Sequence, residues 1–369
     1  MKRLRLWQIA AMVLAIALIA AACSSDDDAA DTTTTAAAAE TTTTAAETTT
    51  TAAETTTTAA ADTTEAPMAY EPIPVKIGTV LPQTGQLATI IDALESGIRL
   101  GVEDVNAASP DLVTVEFGDS GTDPNVASTT VDKYLTGEYA AILGAASSGV
   151  SLSFVDKVQG SEVAMCSGSN TAAALSSSDY DPFYSRTAPS DNLQGPTLAD
   201  VVANDAPASV AILWRADEYG KGFGELVAAE LGDVVVLAEG YDFAAGSFAT
   251  EAQAVVASGA EAVVIITFDE GGQLLLDLES SGFDGQIYVA DGFKDTVGPD
   301  QVGGNAALFD GIKGTAPSAS PENGEATFPD RFAAAFPDTA TIFSAQNYDC
   351  LVTMMKVYPW KRSVIRSST

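Results

Sequence analysis

Between Val75 and Ala107 the chain reads VKIGTVLPQTGQLATIIDALESGIRLGVEDVNA, and no other stretch restricts the fold as much. Val75, Ile77, Val80 and Leu81 form a short apolar run, closed by the turn residues Pro82, Gln83, Thr84 and Gly85. A run of this length and composition suits a strand buried on both faces. Leu87, Ile90, Ile91, Leu94, Ile98, Val102 and Val105 then recur at helical spacing. Strand, polar loop and long amphipathic helix make the opening unit of a parallel α/β sheet. In such sheets ligands bind at the loops that leave the carboxyl ends of the strands.

The same alternation continues along the chain. Leu112–Phe117, Ala140–Leu143 and Val163–Met165 read as strands, and Asp123-Pro124 opens a helix carrying Val126, Val131 and Leu135. A second series has strands at Val210–Trp214, Val234–Leu237, Ala262–Phe268 and Ile287–Ala290, with a helix from Phe248 to Ala257. Ile312–Ala316 reads as a strand returning toward the first series, followed by helices Phe328–Phe336 and Phe343–Met355.

Charge and residue usage narrow the function. A formal net charge of −33 and a pI near 4.1 leave no basic footprint for nucleic acid. The chain has no histidine, which excludes Ser-His-Asp and Cys-His catalysis and His-ligated zinc. Its three cysteines, Cys23, Cys166 and Cys350, include no CxxC pair. No metal or cofactor is expected.

The first 22 residues combine Lys2, Arg3 and Arg5 with an apolar run and a small-residue end, Ala20-Ala21-Ala22. That is the pattern of a secretory signal. With Cys23 directly after it, the segment resembles the lipobox of bacterial lipoproteins, in which the cysteine is acylated, although Ala20 stands where leucine is usual. An uncleaved membrane anchor is the other reading, and both place the remainder outside the cytoplasm. Residues 23–72 are blocks of Thr and Ala spaced by acids such as Glu40, Glu47 and Glu54. They hold too little apolar surface to offset ordering entropy and read as a disordered tether.

Two loops at successive strand ends offer hydroxyls and backbone N–H groups: Gly144 to Gly149, with Ser147 and Ser148, and Cys166 to Thr171, with Ser169 and Asn170. Such loops at helix N-termini suit an anion, and ordinary N-capping is the alternative. The opening unit, with Gly78, Pro82, Thr84, Gly85, Gly97, Gly101 and Asn106, resembles the solute-binding proteins of the branched-chain amino acid (Leu/Ile/Val) transporter family. The segment Tyr180–Pro196 resembles that family's crossover between lobes through Arg186-Thr187, Pro189-Ser190-Asp191 and Gln194-Gly195. The resemblance implies a type I periplasmic binding fold of two α/β lobes, each a mostly parallel sheet flanked by helices. It also implies a ligand carboxylate on Ser147, Ser148, Ser169, Asn170 and Thr171, and aromatic contact from Tyr219, with Phe268 at the end of its strand beside the cleft. Asp291 would pair with the ligand's ammonium. An exposed Tyr219, Asp291 as a helix N-cap, and Arg186 in an ion pair at the sheet edge are the structural alternatives.

The expected organisation is a signal peptide (1–22), a lipidated tether (23–72), lobe 1 (73–190), lobe 2 (191–314), a return to lobe 1 (315–355) and a basic tail (356–369). The tail, with Lys356, Lys361, Arg362 and Arg366, departs from the acidic chain; it reads as a truncated or frameshifted end, poorly ordered after Pro359. In an oxidising compartment Cys166 and Cys350 fall in the same lobe and can pair; two separate thiols are the alternative. The resulting expectation is a lipid-anchored, non-enzymatic binder of a small polar ligand such as an amino acid. The resemblance also implies delivery to an ABC permease. A ligand-sensing ectodomain is the first rival. A serine hydrolase using Ser148 is the weaker one, for want of a G-x-S-x-G elbow.

Overall fold

A computed structural model describes residues 73–318 and 327–367, with side chains to 356. All of these fall in the second of two compact units, residues 68–369; the signal segment, Cys23 and the whole tether lie outside the described residues.

The chain builds two five-stranded sheets, both wholly parallel. The first contains β1 (Val75–Leu81), β2 (Val113–Asp119), β3 (Ala141–Gly144), β4 (Ala164–Ser167) and β5 (Tyr184–Arg186) in the order β2-β1-β3-β4-β5. The second contains β6 (Val210–Arg215), β7 (Val235–Tyr241), β8 (Ala262–Ile266), β9 (Gln286–Val289) and β10 (Lys313–Gly314) in the order β10-β9-β8-β6-β7. Read from the first strand of each, the two orders are identical. Every residue of β3 and β8 is buried, which is why these strands read as unbroken apolar runs.

Helices α1 (Ile91–Ala108), α2 (Pro124–Thr136), α3 (Ser148–Leu152) and α4 (Val155–Gly160) belong to the first lobe. Asp123 caps α2 by accepting from the amides of Asn125 and Val126, with Pro124 at the first helical position. The second lobe carries α5 (Asp191–Asp205), α6 (Glu218–Leu231), α7 (Ala249–Ser258) and α8 (Gly271–Ser280). The chain then returns as α9 (Thr327–Ala335) and α10 (Ser344–Ser367), and α10 packs on α1 and on β3 and β4. Cys166 on β4 and Cys350 on α10 are joined by a disulfide with Cα atoms 5.7 Å apart.

Four expectations change. The segment Tyr180–Pro196 is more than a crossover: it supplies β5, the edge strand of the first sheet, and then α5, capped by Ser190 and running through Pro196. The strand near Ile312 does not return to the first lobe; Lys313 and Gly314 pair with Tyr288 and Val289 as the last strand of the second sheet. Arg186 is in no ion pair among the described residues. It donates to the carbonyls of Asn170 and Ala172 and to the Ser176 hydroxyl, because the loop after β4 presents these acceptors at that sheet edge. Helix α10 runs past Pro359 to Ser367. Proline removes a single backbone donor, and the turns before it are held by packing on α1.

Candidate functional site

The carboxyl ends of the two sheets meet at a narrow cavity of about 20 Å³. That is well below small-molecule pockets, which run roughly 300–1,000 Å³. Loops after β1, β3 and β4 supply Leu87, Ile90, Ala146, Ser148, Ser169 and Thr171; loops after β6, β8 and β9 supply Tyr219, Phe268, Asp291 and Lys294. Ile342 and Phe343, just before α10, complete an apolar side.

On the first lobe two loops are stitched together. Ser148 Oγ accepts from the amides of Thr171 and Ala172, each at 3.2 Å. Ser167 Oγ donates to the Ala145 carbonyl at 2.8 Å and accepts from the amides of Ser169 and Asn170. Asn170 spends its side-chain amide on the carbonyls of Ala145 and Ala146, and its carbonyl oxygen accepts from the Tyr184 hydroxyl. Ser147 caps α3 through the Val150 amide. Ser147 and Asn170 therefore brace the loops, whereas Ser148, Ser169 and Thr171 line the cavity.

On the second lobe Tyr219 is buried, not exposed, on the first turn of α6 behind the Asp217 cap. Its ring stacks on Phe268 with centroids 5.3 Å apart and planes 15° from parallel. Its hydroxyl donates to Asp291 Oδ1 at 3.1 Å and accepts from the Gly292 amide. Asp291 also accepts from Gln194 Nε2 at 2.9 Å, and its side chain caps no helix. Burial pushes the Asp291 carboxyl above the usual carboxylate range and raises the Tyr219 hydroxyl far above its own.

Behind the aromatic wall stands Arg215, 2% exposed, with its guanidinium 3.6 Å from the Phe268 ring centroid. Asp217 and Glu270 balance its charge, at 2.6 and 2.9 Å. Arg215 also donates across the cleft to Gln86 Oε1 at 3.0 Å, and Gln86 Nε2 returns a bond to Glu270 at 3.2 Å. Nothing local in the sequence marks Arg215 and Gln86, two residues that meet only when the lobes do. Asp191, fully buried at the start of α5, is a further residue of this end of the cleft. Neither Asp191 carboxylate oxygen has a hydrogen-bond partner of normal geometry, although the Thr171 side chain is close enough to favour the charged form. Burial, then the charge of Asp291, drives its carboxyl strongly upward. The signal was present in the crossover motif, where Asp191 and Gln194 stand together.

The periplasmic binding protein family model matches residues 74–357. The chain is 24% identical over 230 residues to a Leu/Ile/Val-binding protein homolog of Brucella melitensis, covering 60% of this chain and 62% of that protein. Among solved structures it resembles a leucine binding protein, LivK, of Thermotoga maritima, with a TM-score of 0.69 at 18% identity over 77% of this chain and 82% of the other. It is equally similar in fold to LivJ of Streptococcus pneumoniae, a branched-chain amino acid transporter substrate-binding protein solved with isoleucine, with a TM-score of 0.69 at 20% identity over 77% and 84% of the two chains. With most of its length matched by the family and the paired parallel sheets meeting at one cavity, the chain belongs to the periplasmic binding protein family, as a type I member alongside the branched-chain amino acid proteins.

Proposed function

We propose that this protein captures a small α-amino acid between its lobes and hands it to an ABC permease, held at the outer face of the membrane by an acylated Cys23. The observation that carries the reading is Asp291: a buried carboxylate on the cavity wall, held by Tyr219 and Gln194, with no cation of the protein hydrogen-bonded to it among the described residues. A ligand ammonium fits that position. Opposite it, Ser148, Ser169 and Thr171 suit the ligand's carboxylate, and Leu87, Ile90, Ile342 and Phe343 suit an apolar side chain. The Leu/Ile/Val-binding names among the relatives support this ligand class. In this reading lobe 1 comprises residues 73–190 and 315–355 and lobe 2 residues 191–314.

A thermal-shift and calorimetry screen over L-leucine, L-isoleucine, L-valine, polar amino acids and small organic acids tests the ligand class. A ligand at 100 times its Kd stabilises the fold by about 2.7 kcal/mol. Apolar amino acids should raise the melting temperature, and the corresponding organic acids lacking an ammonium should not. Equal shifts from both would remove the role given to Asp291. Anchoring has its own test: Cys23→Ala should leave the protein unprocessed or release it from the membrane fraction, and normal processing with unchanged fractionation would refute the lipoprotein reading.

A further inference from the structure

Residues 350–369 carry Lys356, Lys361, Arg362 and Arg366 and no acid, in a chain of 17 cations and 50 acids. They do so on a helix: α10 continues to Ser367, about 17 Å past Lys356 at 1.5 Å per residue. By helical register, Val357, Tyr358, Trp360, Val364 and Ile365 fall on one side of it, with Lys361 among them. Lys356, Arg362 and Arg366 fall on the other side, together with Pro359 and Ser363. An apolar arc holding tryptophan and tyrosine, opposite a cationic one, is the pattern of a helix that lies in the interface of a bilayer.

This helix leaves lobe 1 at the end where the chain enters from the tether. Val75, the first residue of β1, lines the same apolar cavity as Thr353, Met354 and Met355 of α10, a space of about 280 Å³. Ala140, Ala164 and Phe183, at the starts of β3, β4 and β5, complete its wall. The ligand cavity lies at the opposite, carboxyl ends of these strands. The other cations at the amino end are matched, since Lys76 and Lys133 share Glu116. The charge of Lys356 reaches Asp349. Lys361, Arg362 and Arg366 then remain as three cations in a stretch without an acid.

We propose that the last three turns of α10, residues 357–367, dock on an anionic lipid bilayer and seat the amino end of lobe 1 there, with the ligand cavity turned away from the membrane. The proposal rests on the reading above that the protein works at the outer face of a membrane. Charge complementarity selects this occupant: a chain of net charge −33 is repelled by an anionic surface, whereas this segment offers it cations and an apolar arc together. Each cation near such a surface strengthens binding about fivefold, and three together about 100-fold.

The unlipidated chain from Ser24 keeps the whole compact unit, residues 68–369, and makes the test independent of Cys23. Co-sedimentation is measured with vesicles of phosphatidylglycerol and phosphatidylcholine in equal parts, and with phosphatidylcholine alone. Wild type should bind the mixed vesicles, and more weakly as salt rises. Combined Lys361→Gln, Arg362→Gln and Arg366→Gln should weaken that binding by about 100-fold. Brominated lipid should quench tryptophan emission in wild type but not in Trp360→Phe, which keeps Trp214 of lobe 2; this comparison also decides if the triple variant does not fold. No binding by wild type, equal binding to both vesicles, or an unaffected triple variant would overturn the proposal. Vesicle-independent dimers, or cross-links from Lys361 to the tether acids, would overturn it if either replaces vesicle binding. None of these outcomes bears on acylation, which the fractionation of Cys23→Ala decides separately.

Discussion

Asp291 owes its position to three elements that contribute one residue each: the strand end that carries it, Tyr219 on α6 and Gln194 on α5. A desolvated charge so held gives a large return to a ligand cation, since removing one partner of such a pair costs about 2–5 kcal/mol. Asp291→Ala should therefore weaken amino acid binding by more than about 30-fold, taking roughly 1.4 kcal/mol per decade. Isothermal titration with L-leucine reads this directly, and wild-type affinity in the variant would place the pocket elsewhere. Ser147 and Asn170 illustrate the other outcome at this scale. Both sit in the loops that the family resemblance marked for ligand contact, yet their polar atoms are consumed within the protein. Sequence identifies a hydroxyl or amide at a strand end; only the fold says what it bonds to.

At the scale of elements, the glycines of the opening unit acquire physical reasons. Gly97 lies on α1 where α10 crosses it, and a Cβ there would stand 2.1 Å from the Ser344 carbonyl oxygen. Gly85 turns with φ of +88°, and its missing Cβ would meet the Gly121 carbonyl oxygen at 2.0 Å. Replacing Gly97 by alanine gains about 1 kcal/mol of helix propensity but forces backbone against side chain. Overpacking of this kind costs about 1–3 kcal/mol. Gly97→Ala should thus lower stability in denaturant unfolding by up to about 2 kcal/mol; an unchanged or raised midpoint would show that α10 can shift outward. On another side, α10 is tied to β4 by the Cys166–Cys350 bond, which joins residues 184 apart in sequence. The short strand β5 was illegible because its three residues carry no alternation, and their place at the edge of the sheet is decided by pairing with β4.

In the whole molecule, one side-chain group that joins the lobes is Gln86–Arg215–Glu270. Arg215 also lies against the Phe268 ring that stacks on Tyr219, so lobe closure and the shape of the aromatic wall are mechanically linked. Hydrogen bonds to charged groups contribute about 1.5–3 kcal/mol each. Gln86→Ala removes two of them, both made across the cleft, and should speed ligand dissociation by about 10-fold or more. The melting temperature of ligand-free protein should stay within a degree or two, because neither bond lies inside a lobe core. Stopped-flow measurement of L-leucine release checks the rate; an unaltered off-rate would show that closure is held elsewhere.

What the sequence alone determined is what depends on short-range pattern. Apolar runs and helical periodicity located every strand but β5, some of the helices between them and the strand-end loops, since burial on two faces or one leaves a period in the residues themselves. The composition excluded histidine chemistry and a basic surface, and the crossover motif identified the family before any contact was known. Tertiary structure decided which of those loop residues face the cavity, that Tyr219 turns inward, that Lys313 and Gly314 close the second sheet, and that Gln86 meets Arg215. It also decided the surroundings of Asp191. An aspartate after a serine reads as one more helix-start residue; its complete burial follows from packing between distant segments, and no local pattern records which of them the fold will bring together.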